Sequence, residues 1–228
     1  IVEGQAKIFS RPENSALMEI LRQQDRTIYL NQDQFWEVNH PLIRNLAHQY
    51  NTAQKIYRLV IDTLDYDYQN LTTARRQGAL QAYQAGIGVC TEFSDLFVAL
   101  ARAAGIPARE LEGFAFTSNQ QLISLSSDND VLHSWAEYWD ESSQIWVPVD
   151  PTWAETTEGM DFINDFDLGH FVFVIHGQSS TQPAPPGSYR PKNGEKSVKV
   201  KFADRLLPPP KIKFEPEFNL QGKNPKLV

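Results

Sequence analysis

Between Gly86 and Pro107 the sequence specifies one helix together with both of its ends. Phe93, Leu96, Phe97, Leu100, Ala101 and Ala104 step i, i+3, i+4, i+7, i+8 and i+11, which lays down one continuous apolar stripe. Gly105 stands where a left-handed residue closes a helix and Pro107 forbids continuation, so the helix is expected to end near Ala104. Gly86 and Gly88 free the backbone just before its start. A stripe of this kind must be buried on one side, and the chain's only cysteine, Cys90, falls on the first turn.

The remaining elements arrange themselves around that helix. Ile56, Leu59, Val60, Thr63 and Leu64 mark a second helix face with Thr52 as its N-cap, while Ala16 to Leu21 and Leu42 to Tyr50 are weaker helical stretches. After Gly105 the period changes. Leu111 to Phe116, Val131 to Trp139, Ile145 to Val149 and Phe171 to Ile175 are short runs rich in β-branched and aromatic residues, expected to be strands. Helices followed by an antiparallel sheet give an α+β order. With 228 residues, 41% of them hydrophobic and 21% charged, the chain can bury one sizeable core and is not a disordered polypeptide.

Charge is divided along the chain. Residues 1–188 carry 11 basic and 24 acidic side chains, whereas 189–228 carry 10 and 4, and nine of the 14 prolines follow position 178. The expected organisation is a domain over 1–178 and a basic, proline-rich segment over 179–228. In that segment Val198, Val200 and Phe202, then Ile212 and Phe214, suggest a short β-hairpin around the LPPP turn. Its charge suits an acidic partner. The net charge of -7 argues against nucleic-acid binding, and no run of 18 apolar residues marks a membrane span. A chain that begins at Ile1 is expected to be a trimmed fragment, with an extracytoplasmic location, periplasmic or cell-surface. One cysteine and five scattered histidines offer no zinc-site spacing, so neither a metal nor another cofactor is expected.

The chemistry centres on Cys90. At a helix N-terminus, unpaired N–H groups and the dipole favour a thiolate, whereas a free thiol with pKa about 8.5 is only a few per cent ionised at neutral pH. The competing reading of a lone cysteine is a small buried residue. A nucleophile needs a base, and His133 in VLHSWAEYW has a derivable partner. If DESS (140–143) is a four-residue hairpin loop, Trp139 faces Gln144 and His133 faces Asp150, with a register shifted by two leaving them diagonal. His40, His48, His170 and His176 are expected to be structural or solvated, with His170 the only rival base.

The segments GVCTEFSDLFVALARAAGIPARELEGFAF (88–116), HSWAEYW (133–139) and WVPVDPTW (146–153) resemble the core of the transglutaminase-like superfamily, thiol enzymes of papain-like fold. The resemblance implies a nucleophile at the N-terminus of a central helix packed on an antiparallel sheet. It assigns Cys90 as nucleophile, His133 as base and Asp150 as its orienter. It also points to Tyr66 as an oxyanion-pocket aromatic, and Gln84, six residues before Cys90, is a further candidate. Gly113 is expected to serve backbone geometry, and Arg109 an ion pair with Glu137. The CxxC pairs of the zinc-bearing peptide N-glycanases are absent, and the calcium loops of animal transglutaminases are not recognised.

The expected activity is acyl transfer on amide bonds of a protein or peptide substrate through a thioester, resolved by water or by an amine, with hydrolysis favoured. Loops such as Thr117 to Asp130 would decide between the two. The alternative is a non-catalytic binding or assembly module that retains the fold.

Overall fold

The computed structural model describes residues 15–69, 75–115, 132–157 and 160–185. The loop 117–130 and the hairpin expected over 198–214 lie outside the described residues.

Two of the early helices start where the sequence supplies a cap. Helix α1 spans Ser15–Gln23. In α2 (Pro41–Gln49), proline takes the first helical position and His40 Nδ1 accepts from Leu42 N at 3.3 Å. In α3 (Ala53–Thr63), Thr52 Oγ1 accepts from Lys55 N at 3.3 Å, and Ile56, Tyr57 and Val60 turn into the core. The two-residue strand β1 (Asp65–Tyr66) follows. Helix α4 (Ala79–Ala85) was not announced by any period. It closes on Gly86, whose φ of 68° is left-handed, and the chain enters β2 (Ile87–Gly88). Strand β2 pairs in parallel with β1, Tyr66 against Gly88, so Tyr66 arrives beside the residue two before Cys90.

Helix α5 (Cys90–Ala103) ends with Ala104 as its cap and Gly105 at φ 80°, as the spacing predicts. Its burial differs from expectation. Every residue from Glu92 to Arg102 is buried, so the polar side is covered as well as the apolar stripe. This is possible because the polar groups have partners. Arg102 donates to the carbonyls of Ala108, Asn31 and Gly177 at 2.9, 2.7 and 2.6 Å, and lies over the Trp36 ring. Asp95 accepts from Arg76 Nε at 2.9 Å and from the Trp36 indole at 2.9 Å.

The sheet behind α5 has the order β5-β4-β3-β6 and is antiparallel throughout, with β3 at Ala108–Ala115, β4 at Leu132–Asp140, β5 at Ile145–Val149 and β6 at His170–His176. Strand β3 begins three residues earlier than expected because Ala108, Arg109 and Glu110 pair with Tyr138, Glu137 and Ala136. Opposed in this way, Arg109 and Glu137 form the expected ion pair. Gly113 sits at a register shift between β3 and β6, where a Cβ would meet Phe171 O at 2.0 Å.

The hairpin register corrects the derivation. Trp139 pairs with Trp146, not Gln144, and the turn is 141–144 with Gln144 at φ 55°. The reason is local. Asp140 caps the turn, its carboxylate accepting from the backbone N–H groups of Ser142 and Ser143 at 3.3 and 3.0 Å, which keeps Asp140 in the strand and moves the loop on by one residue. His133 and Asp150 are therefore offset by two, the diagonal arrangement. A short helix, α6 (Pro151–Thr156), leaves β5 directly. Beyond β6, Ser180 is tied back to Asp33 Oδ2 by its hydroxyl at 2.9 Å and accepts from Arg76 through its carbonyl at 2.7 Å. Among the described residues no helix is long and apolar enough to cross a membrane.

Candidate active site

Cys90 opens α5 and is half-buried. Gly88 allows the tight entry, because a Cβ there would come within 2.5 Å of Glu92 Cβ. Glu92, at the third helical position, accepts from the Val89 N–H at 3.1 Å through Oε2 and from Gln77 N at 2.9 Å through Oε1, which fixes the loop that feeds the cysteine. One turn on, the Ser94 hydroxyl donates to Cys90 O at 2.9 Å.

His133, near the start of β4, places Nε2 at 2.7 Å from Asp150 Oδ2 and lies near enough to Cys90 for the thiol to act on its proton affinity. With Nε2 engaged, Nδ1 is the nitrogen left for the thiol. The imidazole stacks on Trp153 (centroids 5.1 Å, planes 19° apart) and on Trp135 (6.0 Å, 19°). These rings leave it one orientation. Asp150 is fully buried and divides its carboxylate. Oδ1 accepts from Trp153 N at 2.9 Å as the cap of α6, and Oδ2 faces the histidine.

The electrostatics follow from this packing. Burial would lower the proton affinity of His133, but the charge and hydrogen bond of Asp150, then those of Cys90, outweigh it and push its pKa up to about 10. Burial would raise Asp150, and the charge and hydrogen bond of His133, joined by those of His170, hold it below the usual carboxylate range. An imidazolium beside Sγ is the environment that favours a thiolate.

The structure thus gathers Cys90, His133 and Asp150. Tyr66 joins them: burial, then the charge of Cys90, raises its phenol well above the ordinary value, so it stays a neutral O–H donor. Gln84 lies on the exposed side of α4, and the left-handed turn at Gly86 and strand β2 separate it from Cys90. Two features escaped the sequence reading. His170, at the start of β6, is a second imidazole on Asp150, with Nε2 at 3.2 Å from Oδ2. Behind α5, Glu110, Glu112 and His176 form a buried polar cluster with Arg76. Both sets of carboxylates and imidazoles have their donor atoms within 4.8 Å of one another. In each a cationic or imidazole group already faces the carboxylate oxygen: His133 and His170 on Asp150, and Arg76 at 2.7 Å from Glu110 Oε2.

A buried helix with a cysteine at its N-terminus, packed on an antiparallel sheet that carries a histidine, with an aspartate just past the sheet's edge strand, is the α+β fold of papain-like thiol enzymes. The chain belongs to the transglutaminase-like superfamily, whose core model matches residues 37–151. It is similar to the uncharacterised protein YebA of Bacillus subtilis, 36% identical over 78 residues, which is 31% of this chain and 10% of that protein. It is also similar to the uncharacterised protein Rv2569c of Mycobacterium tuberculosis, 29% identical over 115 residues, 49% of this chain and 34% of that protein. The chain therefore spans only 10% and 34% of the length of these relatives. Among solved structures, a cysteine-protease candidate from Cytophaga hutchinsonii aligns with TM-score 0.46 and 21% identity, over 68% of this chain and 55% of the other. The periplasmic domain of TgpA from Pseudomonas aeruginosa aligns with TM-score 0.40 and 23% identity, over 60% and 52%.

Proposed function

We propose that the protein is a cysteine-dependent acyl-transfer enzyme acting on amide bonds of a protein or peptide substrate, with Cys90 as nucleophile, His133 as acid and base, and Asp150 as its orienter. The observation that carries this reading is the buried pair of His133 and Asp150, 2.7 Å apart, set beside the cysteine that opens α5.

The steps balance within these residues. The thiolate forms a C–S bond to the carbonyl carbon, and the oxygen takes up the electron pair against the Cys90 N–H and the Tyr66 hydroxyl. Collapse expels the amine, which leaves with the proton held by His133. In the second half His133 takes a proton from water as the hydroxyl attacks the thioester, and the thiolate is released. An amine in place of water gives transamidation. We favour hydrolysis.

The test is the rate of Cys90 alkylation by iodoacetamide at pH 7 in the wild type, His133→Ala and Asp150→Asn. A rate about tenfold or more above that of the folded His133→Ala variant supports an activated thiol. Equal rates in three folded proteins overturn it and leave a binding module. Mass spectrometry of Cys90 during turnover of peptide amides, with and without an added primary amine, then separates hydrolysis from transamidation.

A further inference from the structure

The imidazole of His170 is bonded at both ends. Nε2 lies 3.2 Å from Asp150 Oδ2 and Nδ1 lies 2.9 Å from Asp167 Oδ1, which also accepts from Gly169 N at 2.6 Å. Carboxylate oxygens only accept, so both contacts are hydrogen bonds when both ring nitrogens carry protons. The ring is buried and held by aromatic faces, Phe166 at 4.5 Å, Trp153 at 4.6 Å and Trp135 at 4.9 Å between centroids. Trp153 and Trp135 also stack on His133, whose centroid is 5.9 Å from that of His170. Asp150 Oδ2 thus stands between two imidazoles sharing the same aromatic walls, and the second lies outside the 37–151 core match.

We propose that His170, held by Asp167, is a positioning residue of the Cys90 site: it fixes the Asp150 carboxylate and, by sharing its charge, limits how tightly His133 keeps its proton. This deepens the acyl-transfer reading above and rests on it. The chemistry needs such a limit. A histidine that faces a wholly unshared buried carboxylate holds its proton too firmly to pass it to a leaving amine, because acid catalysis works best with a proton affinity near the working pH. A second hydrogen-bond donor on the same oxygen takes up part of that negative charge. The other groups facing this pair are Cys90 from α5, Tyr66 from β1 and Tyr57 from α3, both tyrosines being buried neutral phenols whose affinity for their protons is raised. Among the described residues these offer no second cation.

The measurement is the ratio of Cys90 alkylation rates with anionic iodoacetate and neutral iodoacetamide, followed against pH in the full chain. The ratio reads the imidazolium charge beside Sγ and falls where His133 loses its proton. In His170→Gln, which takes the imidazole away from Asp150 Oδ2, the fall should move up by about one pH unit. Asp167→Asn alters a partly exposed side chain and should shift the fall the same way by less. A fall lost in His133→Ala but unmoved in both variants overturns this proposal alone, even if their melting temperatures drop. A ratio unchanged in folded His133→Ala overturns the acyl-transfer reading, and this proposal with it.

Discussion

His133 and Asp150 meet at 2.7 Å across the end of a ladder to which Asp150 no longer belongs. The last pair between β4 and β5 is Ala136 with Val149, and Asp150 has already become the cap of α6. One carboxylate therefore fixes a helix through Oδ1 and an imidazole through Oδ2. The orientation of the histidine is tied to the start of that helix, and Pro151 and Trp153 serve the site by fixing where its first turn stands.

That division predicts a separation of effects at Asp150. Asp150→Asn keeps an acceptor for Trp153 N and should hold α6, while it removes the charge facing His133. Turnover should fall by roughly 10²-fold or more. Asp150→Ala loses the cap as well and should melt lower than Asp150→Asn by about 1 kcal/mol of stability. Thermal melts beside turnover of a peptide amide check both. Equal melting of the two variants would contradict the shared role.

The same pair sets the pH range of stability. His133 binds its proton more tightly folded than unfolded, so its contribution is complete below about pH 6.5 and is lost as pH rises toward about 10. Asp150, held below the usual carboxylate range, contributes above about pH 4 and loses that contribution as pH falls through its folded value. Melting temperature should form a plateau between these limits. In His133→Ala the alkaline decline should flatten.

Much of this was legible in advance, and the exceptions have physical causes. The Cys90 helix was readable because one stripe, one glycine and one proline agree on its limits. The four strands of the main sheet were readable from their runs of β-branched and aromatic residues. The register between β4 and β5 was not, because it depends on Asp140 bonding the turn with its own side chain, a local competition that strand period does not encode. The bond from His170, named only as a rival base, to Asp150 escaped because the two lie 20 residues apart across a loop with no period. The burial of Glu110 and Glu112 escaped because alternation marks charged residues as outward-facing, and only the partners Arg76, Ser134 and His176 reverse that expectation.

Glu112 gives the cluster behind α5 a signature of its own. Burial, then the nearby charge of Glu110, pushes its pKa up to about 7, and its Oε2 is buried without a hydrogen-bond partner. A carboxyl that holds its proton more tightly folded than unfolded stabilises least when ionised, so it lowers stability as pH rises from about 4.5 to 7. Glu112→Gln removes the charge and keeps the shape. The variant should gain roughly 1–3 kcal/mol at pH 8 and nothing at pH 4. Denaturant unfolding at the two pH values checks this, and a gain equal at both would place the effect elsewhere.

Gly113 tests whether the sheet holds the two histidines in place. It pairs with His133 on β4, and on its other side β3 shifts register against β6 where Val172 and Phe171 approach. A Cβ at this position would lie 2.0 Å from Phe171 O and 2.9 Å from Phe171 C, both backbone atoms that cannot swing aside. Gly113→Ala must therefore push β6 away from β3, and His170 is the first residue of β6. Strain of this kind costs about 1–3 kcal/mol. The displacement should also pull His170 from Asp150 while leaving the His133 contact, which is made from β4. Gly113→Ala is expected to shift the His133-dependent alkylation profile in the same direction as His170→Gln, at lowered melting temperature. As a control, Gly105→Ala meets no atom within 4 Å but sits at φ 80°, and should lose about 1 kcal/mol with the profile unmoved.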